Sequence, residues 1–424
     1  MIVKRIGNLF KTLSGVDRAD YIALLCIAAT VPIAWRLAMW AMIAFTVTSV
    51  VQLCVSRQLG WKTTTTGQRA LMALMALMVL FFIIYLISGS QSVNQSYGWS
   101  TTEGKLPFVL FPLTFVLADK RYLTRDRLRL IFYLLWAVLT IRFLVELIAF
   151  AVKVMQGDAI SSLIGENFSQ LHHTYYALYA MVGVAFLYSE LMRRIERCGW
   201  DKRCWWLLLA AVPPIATVVV TDSRTGIICA ALLIAVGLLD YVVSQRKWKL
   251  LLVGALLLIA AVAVYQVIPS NYQRFSLEIK ALRTGQESER MIMLRSAAET
   301  AAASPLWGYG SGDYEEPLQQ QYLRNGYAQG LERQQGSHNQ YLETMLECGI
   351  FGMLTLVAML VVPVVTALRR KTGRRFVVTS IMVIAITIFF ESMLGRQMGI
   401  IFFCFVLSML MLFIGRTQEY APTK

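Results

Sequence analysis

The chain holds three histidines, and each stands at the start of an apolar stretch. His172 and His173 precede Thr174, Tyr175 and Tyr176. His338 lies in Gly336-Ser337-His338-Asn339-Gln340-Tyr341-Leu342-Glu343. Imidazole accepts a proton near neutral pH, so His338 is a candidate general base. His173 is a weaker candidate and reads first as a hydrogen bonder at a helix start. Arg224 occupies a tight turn, Thr221-Asp222-Ser223-Arg224-Thr225-Gly226, ahead of another apolar run. A helix N-terminus offers free N–H groups to an anion, and a guanidinium adds a fork that fits phosphate. The bland alternative for Arg224 is an interface arginine reaching for water. Arg142 lies deep within an apolar run, with Glu146 one turn further on. Such a pair shares a helix face and can neutralise itself, yet a charge at that depth usually faces a wet cavity; both readings stand. Glu391 and Arg396 flank a later run. Asn339, Glu343 and Glu347 make a polar stripe, which for Glu347 reads as hydrogen-bonding glue between helices.

The elements that position these residues follow from composition. Of 424 residues, 57% are hydrophobic and 15% are charged, against about 25% charged in soluble domains. This excludes a soluble enzyme, a disordered chain and a disulfide-rich scaffold. The apolar runs are continuous rather than alternating, which excludes a β-barrel and leaves an all-α polytopic membrane protein. Twelve stretches are long enough or nearly so: 21–35, 37–55, 70–88, 106–118, 130–151, 173–189, 206–221, 226–243, 250–268, 339–367, 376–394 and 397–414. The fourth is short and holds Pro107 and Pro112, so a broken or tilted helix is expected. The tenth is long enough to project beyond the bilayer. The chain divides into 1–268 with nine spans, a polar loop at 269–337, and 338–424 with three spans.

With the N-terminus inside, the inner segments hold 27 of the 40 lysines and arginines. The positive-inside rule then puts both termini in the cytoplasm and the 269–337 loop outside. The net charge of +15 is this topogenic signal plus attraction to anionic lipid. No basic-aromatic motif accompanies it, so nucleic acid is not an expected partner. The first apolar segment lacks a small-residue cleavage pattern and reads as an anchor. The seven cysteines sit in spans or inner loops, where disulfides are not expected. Cys198 and Cys204 have no histidine nearby, so zinc is not expected. Asp313, Glu315 and Glu316 read as a solvated loop face.

In this order and topology the motifs resemble the O-antigen ligase and polymerase superfamily of bacterial envelope biogenesis. The resemblance rests on several segments: Ser223-Arg224-Thr225-Gly226; Arg290 ahead of Ser304-Pro305-Leu306-Trp307-Gly308-Tyr309-Gly310; His338-Asn339 with Tyr341-Leu342; and Glu347-Cys348-Gly349-Ile350-Phe351-Gly352. Cys348 is a minor departure, since the family often has a small residue there. The resemblance implies a metal-independent, inverting glycosyltransferase of the inner membrane, with its active site on the periplasmic side and no cofactor. Its donor would be a glycan on undecaprenyl diphosphate, its acceptor a sugar hydroxyl of lipid A–core, and a monomer would suffice. Arg224, Arg290 and, in second rank, Arg142 would then hold the diphosphate while His338 activates the acceptor. Ser223, Asn339, His173 and Glu391 are secondary candidates. An O-antigen polymerase is the nearest rival and a protein O-glycan transferase the next. A lipid or polysaccharide transporter is the rival from another class, although no internal repeat of the kind transporters carry is visible.

Overall fold

The computed structural model describes residues 2–56, 66–118, 120–246 and 287–415. Every regular element among them is helical. Among the described residues, eight helices are long and apolar enough to cross a membrane: Trp35–Val55, Arg69–Gln91, Arg125–Met155, His173–Cys198, Lys202–Val220, Arg224–Gln245, Gln340–Arg370 and Gln397–Gly415. Each coincides with an expected stretch. The stretches at 21–35, 106–118 and 376–394 fall on shorter helices, Gly15–Thr30, Pro107–Leu117 and Arg374–Phe390. The stretch at 250–268 lies outside the described residues. The fourth stretch is short because Pro107 opens its helix and Ala118 ends it in extended backbone; Pro112 lies inside without breaking it.

His173–Cys198 and Gln397–Gly415 form the centre of the bundle, buried along almost their whole apolar length. The outer helices leave aliphatic side chains exposed, among them Ile141, Val145 and Ile148, where lipid is as good a solvent as protein. Cohesion therefore rests on close packing. Phe132, Phe186, Phe376 and Phe413, from four helices, meet at centroid distances of 4.6 to 5.5 Å, in the offset and edge-on geometries aromatic quadrupoles prefer.

The two ends of the bundle differ. At the end where Gly15–Thr30 begins, cations are paired with acids: Lys120 with Asp20, Arg129 with Glu190 at 3.0 Å, and Arg375 with Asp240 and Glu196. The opposite end carries the polar segment that follows residue 286. There the helices Glu289–Ala303, Glu315–Arg324 and Ala328–Glu332 close on a small core of Met293, Ala297, Leu318, Tyr322 and Tyr327, with Leu346 from the long Gln340–Arg370 helix.

That long helix, on the stretch expected at 339–367, is not continuous. It breaks at Gly349, where φ is 64° and ψ is −162°, a region open essentially to glycine alone. The break frees backbone groups that must be paired, and the polar segment pairs them. Ile350 N–H donates to the Pro305 carbonyl at 2.9 Å, and Tyr309 N–H donates to the Leu346 carbonyl at 2.7 Å. The approach is so close that a Cβ at Gly349 would meet the Leu306 oxygen at 2.1 Å. Asp313, expected on a solvated face, instead accepts hydrogen bonds from the Val93 and Asn94 N–H groups, because the turn at the end of Thr66–Gln91 leaves both donors open. Tyr97 likewise donates to Glu315 at 2.8 Å.

Gly349→Ala should therefore cost about 1–3 kcal/mol or more and lower the thermal midpoint measured in detergent. Gly15→Ala, with open space where its Cβ would go, should leave the midpoint unchanged.

Candidate functional site

The end of the bundle that carries the polar segment also carries the candidate site. His338 sits in the turn that enters Gln340–Arg370, with φ at +44°, a left-handed conformation uncommon for any residue but glycine. The turn is held on both sides. Asn339 caps the helix, its Oδ1 accepting from Tyr341 N–H at 3.0 Å and Leu342 N–H at 3.1 Å. Ser337 Oγ donates to Glu343 Oε2 at 3.3 Å.

Facing His338 is the turn after Arg374–Phe390. Its Glu391 leaves the helix in extended backbone, and Oε1 lies 3.2 Å from His338 Nδ1. The same Glu343 Oε2 accepts from Ser392 Oγ. One carboxylate oxygen thus ties together the residue before His338 and the residue after Glu391. Gln340 Oε1 accepts from Leu394 N–H, and the buried Lys105 ammonium donates to the Leu394 carbonyl, so the Glu391 turn is secured at three points. Lower on the same helix, Tyr85 donates to Glu347, the inter-helix contact expected of that residue.

Arg290, in the first turn of Glu289–Ala303, closes the third side. Its Nη2 donates to the Phe390 carbonyl at 2.9 Å, and its guanidinium lies 4.7 Å from the Phe390 ring centroid. A cation at the carbonyl end of a helix is favourably placed. It is close enough to oppose protonation of His338. His172 and His173 stack at 4.5 Å and lie within electrostatic range of Glu391. Tyr175, edge-on to His172 at 5.6 Å, donates from its hydroxyl to the Met393 carbonyl at 3.4 Å. All three histidines of the chain thus converge on one carboxylate.

Arg224 opens Arg224–Gln245 and is exposed. Ser223 is its helix cap, with Oγ accepting from Gly226 N–H at 3.3 Å. Gly226 packs on Ala177, one turn from the start of His173–Cys198, so Arg224 stands at the helix end that presents His172 and His173. Arg142 is bound within the protein. Its Nε pairs with Glu146 Oε1 at 2.9 Å, Nη1 donates to the Pro32 and Ile33 carbonyls at 2.6 and 3.1 Å, and Nη2 donates to Ser169 Oγ at 3.2 Å. Of the sequence candidates, His338 and Glu391 meet directly, Arg290 binds the carbonyl of the preceding Phe390, His173 borders them, and Ser223 and Asn339 serve as caps. Lys105 was not singled out by sequence reasoning; its one signal is a lysine immediately before an apolar run.

The His338–Glu391 pair has a defined chemistry. The carboxylate hydrogen bond raises the imidazole pKa above its ordinary 6.5, outweighing the burial that lowers it. With Nδ1–H directed to Glu391, Nε2 is left as the proton acceptor, the arrangement by which an acid orients a histidine base. Among the described residues, no group of three or more histidines, cysteines or acids is placed to hold a metal ion.

Residues 207–357 match the family model Wzy_C, described as O-antigen ligase. The match spans Arg224, Arg290 and His338, and ends before Glu391. No curated protein matches the chain.

Because the histidine pKa is raised by its partner, the pair's stabilisation is complete below pH 6.5 and is lost as pH rises through the folded-state value. Glu391→Gln removes the negative charge, so the His338 midpoint followed by NMR of labelled histidine should move down. An unchanged midpoint would mean that Glu391 does not act on the imidazole.

Proposed function

We propose that the chain, whose residues 207–357 match the O-antigen ligase family model, is a metal-independent, inverting glycosyltransferase of the O-antigen ligase/polymerase superfamily. It moves O-antigen glycan from undecaprenyl diphosphate to a sugar hydroxyl of lipid A–core. The basic end of the bundle faces the cytoplasm, as the positive-inside rule requires, and the His338 end opens to the periplasm. No nucleotide triphosphate is available there, so the glycan must arrive with its own leaving group, and a lipid diphosphate is one.

His338 Nε2 takes the proton of the acceptor hydroxyl as its oxygen attacks the anomeric carbon. The bond from that carbon to the diphosphate oxygen breaks with inversion, and the electron pair leaves on the diphosphate. Arg290 and Arg224 hold the phosphates and stabilise the charge that develops. Glu391 keeps the imidazole oriented and balances the proton it gains. Support comes chiefly from the contact between His338 and Glu391 with Arg290 beside it. These residues come from three distant parts of the chain. Arg142, with its donors engaged inside the protein, acts as a structural clamp and not as a phosphate ligand. A polymerase would run the same steps with a second lipid-linked repeat as acceptor, and a monomer is enough for either.

Purified protein reconstituted with lipid-linked glycan, isolated lipopolysaccharide core and a chelator should give ligated product. A ladder on the carrier lipid would instead make it a polymerase, and no covalent product would end the enzymatic reading. His338→Ala should lower the rate about 10²–10⁴-fold, and Arg224→Ala or Arg290→Ala about 10²–10³-fold each, with normal membrane insertion. The base works unprotonated, so the rate should fall as pH drops through the raised His338 pKa. In Glu391→Gln that acid limb should move to lower pH while the plateau falls.

A further inference from the structure

Lys105 takes no part in the chemistry described above, yet it is only 2% exposed, and an ionisable group is costly to bury. It follows the short helix Gln95–Gly104, which joins Thr66–Gln91 to Pro107–Leu117. Its backbone is fixed on both sides: its N–H donates to the Thr102 carbonyl and its carbonyl accepts from Phe108 N–H, each at 2.9 Å. A lysine held in this way, away from water, must satisfy something inside the protein.

Its ammonium meets a carbonyl, a ring and two acids. It donates to the Leu394 carbonyl. The Tyr85 ring centroid lies 4.6 Å away, a cation–π distance, while the Tyr85 hydroxyl donates to Glu347. Glu343 and Glu347 both lie within its electrostatic range. These acids stand one turn apart on one helix, where like charges repel, and a cation near both offsets that repulsion.

The same ammonium secures a turn that the site uses. Leu394 N–H donates to Gln340 Oε1 at 2.5 Å, so both backbone groups of Leu394 are held. Gln397 Nε2 donates to the Gly104 carbonyl at 3.0 Å, so residues 104–105 and 394–397 clasp each other twice. The clasp begins three residues after Glu391, whose carboxylate reaches His338. Glu343 holds Ser337 and Ser392, the neighbours of His338 and Glu391. One buried cation thus bears on both supports of the pair, through Leu394 and through its charge beside Glu343.

We propose that Lys105 is a positioning residue for the transfer reaction, keeping Glu391 in place against His338 without itself touching substrate. This role rests on the reaction proposed above, but its first readout needs no transfer. His338 is faced by Glu391 and Glu343, which favour its protonation, and by Arg290, which opposes it; His172 and His173 lie near Glu391. Lys105→Met leaves all of these side chains in the chain. It should nevertheless move the His338 midpoint down, followed by NMR of labelled histidine in the full chain, because Glu391 draws away. In transfer assays the same variant should lower kcat about 10–10²-fold and leave both KM values within about twofold. The acid limb of its rate should move to lower pH. Lys105→Arg keeps the charge and the donors, and should return the limb and most of the rate.

If Lys105→Met does not insert, Gln397→Met opens the other half of the clasp with the cation intact. The midpoint should then move in the same direction by less. A role in folding alone would lower the thermal midpoint and leave the His338 midpoint and the acid limb where they are in wild type. That result, in Lys105→Met or in the Gln397→Met that stands in for it, would overturn the proposal, as would a loss of rate carried by KM. A chain that transfers no glycan but whose His338 midpoint still moves in Lys105→Met keeps the positioning role and loses the reaction, so the two failures are distinguishable.

Discussion

Two turns far apart in the chain are held by one buried carboxylate oxygen, Glu343 Oε2, which accepts hydrogen bonds from Ser337 and from Ser392. His338 and Glu391 are the neighbours of those serines, so their contact depends on it. In a low-dielectric interior a carboxylate left without donors is expensive, and the protein satisfies this one with the two hydroxyls whose positions matter. Lys105 adds a compensating positive charge close by, with its ammonium hydrogen-bonded to the Leu394 carbonyl. A histidine in left-handed backbone persists where its surroundings over-determine it. Here the Asn339 cap on one side and the Ser337 hydrogen bond on the other do so.

The break at Gly349 belongs to the same logic. A membrane helix can open its backbone only where other protein groups pair what is freed. The Pro305–Tyr309 strip does this through two hydrogen bonds, and the polar segment is thereby fixed to the helix that His338 introduces. Arg290, on that segment, then reaches the Phe390 carbonyl. The strip is thus a joint, and Gly308 and Gly349 are present because two backbones touch there.

Charge is used differently at the two ends of the bundle. At the basic end the cations are matched by Asp20, Glu190, Asp240 and Glu196, which ties neighbouring helices together. At the other end the described cations are fewer and are set beside histidines and a glutamate that can exchange protons. Arg142 falls between these cases: it is ion-paired with Glu146 and donates to two backbone carbonyls and a serine hydroxyl.

Helical periodicity, hydrophobic run length and the bias of lysine and arginine were enough to read the all-helical membrane class and to find eleven of the expected stretches in the described residues, because lipid leaves a chain few options and those signals are local. His338 and Arg224 stand out as candidates for a related reason, since ionisable groups are rare among apolar runs. The break at Gly349 and the role of Asp313 were not legible. Each depends on a partner more than forty residues away or on where a neighbouring turn leaves donors open. The same holds for the pairing of His338 with Glu391 through Glu343, and for the sealing of Arg142 by Pro32, Ile33 and Ser169. Residue type announces that a group must find a partner; which partner it finds is set by the packing of helices whose order along the chain says little about their neighbours in space.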